Sequence, residues 1–251
     1  VINHVLQSYV VPVCLYAEEG RKAGLRRLVG SAFFCGSKGC FLTARHVMDQ
    51  ATAEAEKEGW LIGLCAKADN GQSVDSVIYP LSLWEFAAHP YDIAIGRLDY
   101  FPGTPLFAKS AHVGIFEEVR SLGYPSSVHV KDGDALWLNL RGQNGQVQRL
   151  TLPRDMISSH PDGFELSFLL SPGMSGCPVY TLDGNVIGVG VGSFGSRIVE
   201  HELSEVDDNG HKFTEQRLRI EEFGFAHDLR GLLDWTPELL GGMKLSEALG
   251  S

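Results

Sequence analysis

The sequence predicts an all-β fold of the sandwich or barrel kind. Three observations lead there: short β-favouring runs recur along the whole chain, glycine-rich or polar turns divide them, and helix signals are few. Glycine supplies 29 of the 251 residues, which suits many turns better than long helices. With 44% hydrophobic and 21% charged residues, the composition is that of a globular chain with a sizeable core.

In chain order, the first strands are read at "SYVVPVCLY", "GSAFFCG", "GCFLTARHV", "WLIGLCAKA" and "YDIAIGRLD". Between the third and fourth, "VMDQATAEAEKEG" (47–59) has good helix formers and stops on glycine, so a helix is expected there. After about residue 115 the β style resumes with "EEVRSLGYP", "DALWLNLRG", "GQVQRLTL", "GCPVYTLDGNVIGVGVGS" and "FGFAHDL". The two β clusters meet at the polar, proline-containing "FPGTPLFAKS", which places one half at 1–110 and the other at 111–251. Residues 195–222 are densely charged around Asn209-Gly210 and read as a long, solvent-exposed hairpin with a two-residue turn. The tail "GLLDWTPELLGGMKLSEAL" holds short amphipathic pieces expected to pack on the outside.

Several function classes drop out on charge and pattern. A net charge of −10 argues against general nucleic-acid binding, which needs lysine and arginine against phosphates. It also gives no electrostatic reason to sit on an anionic membrane, and no apolar run approaches the ~18 residues of a spanning helix. His89, His160, His201 and His211 lack paired ligand spacing, and Cys35 and Cys40 lack the second pair of a zinc site, so no metal is expected. Cys35 and Cys40 could instead bridge across a hairpin. The five scattered cysteines, and an opening "VINHVLQSYVVPV" without a visible signal segment, fit a reducing, cytoplasmic compartment. A periplasmic or secreted location stays open, because an N-terminus can be processed.

The chemistry centres on "LSPGMSGCPVY" (169–179), where Ser175 lies in a glycine-lined bend leading into a β-favouring run. Such a serine is either a turn residue or a nucleophile. A hydroxyl attacks a carbonyl near neutral pH only with a general base in reach, most often an imidazole, whose unperturbed pKa is about 6.5. The imidazole in turn needs a carboxylate to set its tautomer. "FLTARHV" offers His46 at the end of a strand, and "YDIAIGRLD" offers Asp92 at the start of one. An aspartate leading into "IAIGRL" is a costly guest unless something pairs with it.

Those segments, "GSAFFCGSKGCFLTARHV", "YDIAIGRLD" and "SPGMSGCPVY", resemble the chymotrypsin-like serine proteases, closest in style to bacterial Deg-type and related trypsin-like peptidases. The chain order His, Asp, Ser excludes the subtilisin and α/β-hydrolase arrangements. The resemblance implies two six-stranded antiparallel β-barrels with the site between them and a short C-terminal helix. It implies a serine endopeptidase without a cofactor, with His46, Asp92 and Ser175 as catalytic triad and the N–H groups of Gly173 and Ser175 as oxyanion hole. Protein or peptide would be the substrate. Leu169 and Leu170 would form the base of the specificity pocket, Gly190, Val191 and Gly192 one wall, and Gly224 the opposite strand. With no carboxylate at that base, an apolar P1 residue is expected, medium-sized or aromatic.

The chain departs from its digestive relatives just before the nucleophile. Met174 stands where they have an aspartate that captures a newly cut N-terminus, so Val1 is not expected to be an activating terminus. The hairpin of 195–222 is expected beside the cleft, as solvated decoration or as a gate or docking surface for a regulatory partner. The alternative to an enzyme is a protease-fold binding or effector module, inactive until a partner or signal assembles the site.

Overall fold

The computed structural model describes residues 9–20, 22–35, 39–69, 74–98, 113–126, 130–132, 135–138, 140–153, 160–207 and 209–249. The first half contains β1 (Val10–Glu19), β2 (Lys22–Phe34), β3 (Cys40–Thr43), helix α1 (Arg45–Glu58), β4 (Leu61–Asp69), β5 (Val74–Pro80), β6 (Trp84–Phe86) and β7 (Ala94–Arg97). Its strands form one antiparallel sheet in the order β5-β4-β1-β2-β3-β7-β6. The second half holds β8 (Glu118–Gly123), β9 (Val130–Asp132), β10 (Ala135–Trp137), β11 (Arg141–Thr151), β12 (Gly163–Leu166), β13 (Pro178–Thr181), β14 (Val186–Val206) and β15 (Lys212–Asp228). Among the described residues the short β9 and β10 pair only with each other, and the other six strands close a barrel.

This is the double-barrel architecture that the sequence resemblance implies, with one difference. The first half has seven hydrogen-bonded strands in an open order among the described residues, where six closed strands were expected. The expected boundary near residue 110 lies outside the described residues.

Strands of the first half read as unbroken apolar runs because both faces of the sheet are buried. Val11, Phe34, Phe41 and Ala94 point into the core of the first half with Val47 and Met48 of α1. Their chain neighbours Val10, Phe33, Leu42, Ile93 and Ile95 point the other way, into a seam shared with Tyr124, Tyr180, Val186 and Val189 of the second half. Successive side chains of a strand alternate faces, so a sheet sandwiched between two cores needs apolar residues at every position. The second barrel has its own core, including Val119, Val147, Phe164, Leu166, Met174, Cys177 and Val179.

The C-terminal tail is more than the outer layer expected of it. Two 3₁₀ turns (Leu229–Leu232 and Glu238–Leu240) and helix α2 (Leu245–Leu249) place Leu229, Leu232, Leu240, Leu245 and Leu249 in the seam. The Glu85 carboxylate accepts from Glu238 N–H at 2.8 Å and Leu239 N–H at 2.5 Å. The tail thus straps the end of the second half onto the first.

The hairpin of β14 and β15 is present and continues the barrel strands into solvent, paired out to Val206↔Lys212 with a register shift between Val199 and His201. It closes one residue wider than the expected two-residue turn. Asp207 N–H donates to His211 C=O at 2.9 Å, and Gly210, at φ 83°, takes the left-handed position of the three-residue connection. The Asp207 carboxylate accepts from the N–H groups of Asn209 and His211, which drives its pKa below the usual carboxylate range.

All five cysteines are buried and none is in a disulfide, including Cys35 and Cys40, whose backbones pair across the hairpin. Burial raises the Cys35 thiol pKa well above its ordinary value. Among the described residues no helix is long and apolar enough to cross a membrane, and no cluster of three metal-ligating side chains occurs.

Candidate active site

His46 lies in the first turn of α1, which starts two residues earlier than the sequence suggested. The helix begins after Ala44, a residue with no side chain able to cap it. The orphan N–H groups of a helix start must be satisfied elsewhere. Asp92, in the segment leading to β7, does this: its carbonyl accepts from Arg45 N–H at 3.2 Å and its Oδ1 accepts from His46 N–H at 2.8 Å. Its other carboxylate oxygen, Oδ2, faces His46 Nδ1 at 2.5 Å. A carboxylate at a helix N-terminus is also favoured by the helix dipole. One aspartate therefore both caps the helix and orients the imidazole. That arrangement leaves His46 Nε2 as the unprotonated ring nitrogen and turns it away from the acid.

Asp92 is itself held from the second barrel. Its N–H donates to His227 Nδ1 at 3.1 Å, which assigns the ring proton of His227 to Nε2. His227 is 3% exposed. Burial, opposed by the nearby Asp92 charge and reinforced by His160 and His46, lowers its pKa to about 4. His227 is not among the residues that the sequence pattern singles out. The signal available was a histidine inside the last apolar strand, "FGFAHDL", where an imidazole must find a partner.

Ser175 follows a turn built for close approach. Gly173 has φ 92° and Gly176 φ 88°, both in the region that favours glycine. A Cβ on Gly176 would overlap the Ser31 carbonyl and Thr43 Oγ1 and lie 3.0 Å from Ala44 N. The backbone after Ser175 thus presses against the strand end that leads to His46. The junction is hydrogen-bonded as well: Ser31 N–H donates to Ser175 C=O at 2.8 Å, and Ser31 Oγ donates to Gly173 C=O at 2.9 Å. Gly173 N–H and Ser175 N–H have no acceptor among the described residues. Met174 is fully buried in the second barrel's core, so the position before the serine is apolar and contributes no ion pair.

The structure does not bring the three side chains together in one hydrogen-bonded chain. Ser175 Oγ donates to Val191 C=O at 3.4 Å and makes no bond to His46 among the described residues. Val191 is the extra residue of a bulge between Gly190↔Ala226 and Gly192↔Phe225. Bulges re-aim backbone groups beside sites of this kind.

Of the residues expected around the specificity pocket, Leu170 is central and 4% exposed. Cβ atoms on Gly190 and Gly224 would lie 2.8 Å from Leu170 Cδ1 and 3.1 Å from Leu170 Cγ respectively, so its side chain sits between those two glycines. Ser193 Oγ lies 2.8 Å from Leu170 N and 3.0 Å from Leu170 O. Leu169 is only half-buried.

Residues 30–189 match the family described as trypsin-like peptidase domain. The chain belongs to that family. Among solved structures it is similar to the HtrA-type protease AlgW with decapeptide (TM-score 0.58, 14% identity, 89% of this chain and 62% of that one). It is also similar to the MamO protease domain from Magnetospirillum magneticum in its apo form (TM-score 0.55, 15% identity, 91% and 96%). AlgW with tripeptide gives a TM-score of 0.55 at 16% identity, covering 95% and 63%. This trypsin-like chain therefore spans about three-fifths of the AlgW chains it matches, and at these identities the likeness is one of fold. No curated protein sequence matches it.

Proposed function

We propose that the chain is a serine endopeptidase that works through an acyl-enzyme, with Ser175 as nucleophile, His46 as general base and Asp92 as its orienting acid. The observation that carries this is the Asp92 carboxylate bound to both the backbone and Nδ1 of His46, beside a glycine-lined serine loop with two N–H groups lacking acceptors among the described residues. The reading requires that rotation about the Ser175 Cα–Cβ bond, between staggered positions, carry Oγ from the Val191 carbonyl to the imidazole. His46 Nε2 takes the hydroxyl proton as Oγ attacks, then delivers it to the leaving amine; water repeats the sequence on the ester. Gly173 and Ser175 N–H donate to the oxyanion, an interaction worth about 10²–10³ in turnover per donor elsewhere. No cofactor enters these steps.

The substrate is proposed to be protein or peptide with an apolar P1 residue. Leu170 between Gly190 and Gly224 supports the smaller end of the apolar range, and Leu169, Val191 and Gly192 are proposed to line the same pocket. The buried thiols are in keeping with a cytoplasmic, reducing setting.

A second reading has a specific observation behind it. Ser175 Oγ faces Val191 C=O at 3.4 Å rather than His46, which suits a protease-fold module whose site a partner or signal assembles. The solvent-exposed ribbon of β14 and β15 is the candidate docking element, with Ile198, Leu203, Phe213 and Ile220 between 42% and 61% exposed. A fluorophosphonate probe separates the two: labelling of the isolated wild type and none of Ser175→Ala supports the enzyme. Labelling only after addition of a cellular extract favours the module, and no labelling in either condition defeats the catalytic assignment.

A further inference from the structure

A turn with proline second and glycine third, like the one carrying Gly173, is compatible with two peptide orientations. Met174 N–H donates to Ser171 C=O at 2.9 Å, closing the four-residue turn 171–174. Pro172 occupies its second position, with φ held near −65° by the ring. Gly173, third, has φ 92°. These are the marks of a type II turn. A type I turn keeps the same closing bond and also accepts proline second. It differs only by rotating the middle peptide, here 172–173, through about 150–170°.

What holds that peptide is Ser126, three residues after β8. Its N–H donates to Pro172 C=O at 2.8 Å and its Oγ donates to the same oxygen at 3.0 Å. In a trans peptide the C=O and the following N–H point in opposite directions. With the Pro172 oxygen drawn to Ser126, the Gly173 N–H is directed away from Ser126, where it has no acceptor among the described residues. Flipping the peptide sets Gly173 N–H against Ser126 N–H, donor against donor, and moves a carbonyl oxygen to where the N–H had pointed. Both flanks are otherwise fixed. Ser31 Oγ accepts from Tyr124 N–H and donates to Gly173 C=O, each at 2.9 Å. A Cβ on Gly173 would lie 2.5 Å from Ser126 N and 2.6 Å from Tyr124 O. Only the 172–173 peptide keeps a choice, and Met174 has no charge with which to influence it.

We propose that Ser126 is a positioning residue that selects the type II form and thereby keeps the Gly173 N–H available to a developing oxyanion. The assignment rests on the protease reading for its catalytic consequence, but not for its conformational one. The test compares wild type with Ser126→Thr, Ser126→Ala and Ser126→Asp. Threonine keeps both donors, alanine removes one, and aspartate adds an acceptor that draws Gly173 N–H and repels Pro172 C=O. Ser126 is exposed, so none of these disturbs a core.

On a chromogenic peptide, kcat is expected to be unchanged in the threonine variant. It should fall about threefold to tenfold in the alanine variant, as one hydrogen bond is lost. The aspartate variant should lose at least about 10²-fold, as one oxyanion donor is withdrawn. KM should stay within about threefold throughout. Independently of activity, ¹³C-carbonyl proline with ¹⁵N-glycine labelling marks the two Pro–Gly peptides of the chain, 102–103 and 172–173. The 172–173 signal should be single in wild type and doubled or exchange-broadened in Ser126→Asp. A sharp single 172–173 signal in that variant with the wild-type shift, or kcat retained with KM raised, overturns the proposal. If the wild type proves inactive while the aspartate variant still doubles the signal, the catalytic reading fails and the role of Ser126 stands.

Discussion

Replacing Asp92 with asparagine tests the proposed relay with almost no change of shape. The carboxylate uses both oxygens as acceptors, one for His46 N–H at 2.8 Å and the other for Nδ1–H at 2.5 Å. An amide has only one acceptor. If the amide oxygen of the variant keeps the backbone N–H, its NH₂ faces Nδ1, and the imidazole must move its proton to Nε2, where it can no longer accept one from Ser175. If the amide turns over, the productive tautomer survives, but the NH₂ and the His46 N–H face each other. Reaching the productive arrangement then costs a charge-assisted bond, about 1.5–3 kcal/mol, and leaves a donor unpaired, about 1–3 kcal/mol. Together these are about 2.5–6 kcal/mol, or a fall of about 60-fold to 10⁴-fold in kcat/KM at 1.4 kcal/mol per factor of ten. Initial rates on a peptide substrate, with active sites counted by the fluorophosphonate probe, measure this directly. A loss below about tenfold in Asp92→Asn, with its fold intact, would falsify the tautomer argument and the role given to His46.

Other outcomes follow from the same contacts. Gly176→Ala combines a left-handed φ, about 1–2 kcal/mol, with overlap on Ser31 and Thr43, about 1–3 kcal/mol; at about 2–4 °C per kcal/mol, Tm should fall by roughly 4–20 °C. Gly184→Ala, with a similar φ of 83° but nothing within 4 Å, should lose only the conformational part, and equal losses in the two variants would remove the steric explanation. Leu170→Ala opens the space between Gly190 and Gly224, so profiling of cleaved peptides should move toward larger apolar P1 residues by roughly tenfold; an unchanged profile places the specificity elsewhere. For His227, burial lowers the folded pKa to about 4 from an unfolded value near 6.5, so the unfolded chain binds more protons between these values. Its contribution, about 3 kcal/mol, is complete above pH 6.5 and lost as pH falls through 4. Urea unfolding of His227→Asn, whose amide oxygen can still accept from Asp92 N–H, should show a correspondingly shallower loss over that window, and parallel pH curves for the two proteins would refute it.

Much of the architecture was legible because local chemistry and tertiary position agree. The alternation of apolar runs and glycine turns marked the strands, Gly59 stopped α1 in a left-handed C-cap at φ 68°, and Asn209-Gly210 marked the hairpin tip. The pairing of His46 with Asp92 was also within reach, since a carboxylate beside a buried strand needs a partner. Other features were not. The start of α1 at Arg45 depends on an acid 46 positions beyond His46 capping it through space, which no N-cap residue in the sequence announces. The tail's burial depends on Glu85 and on the seam, neither of which the tail's own pattern encodes.

Residue types and their order along the chain determined which groups are available for chemistry: a base, an acid, an alcohol and flexible backbone around the alcohol. Tertiary contacts alone decided how those groups face one another. Hydrogen-bond direction and peptide orientation depend on partners distant in the chain, as when Ser126 turns one peptide, Val191 holds the Ser175 hydroxyl and His227 supports Asp92 from the other barrel. The physical reason is range: propensity and pattern act over a few residues, whereas a directed hydrogen bond exists only once folding has set both of its ends in place.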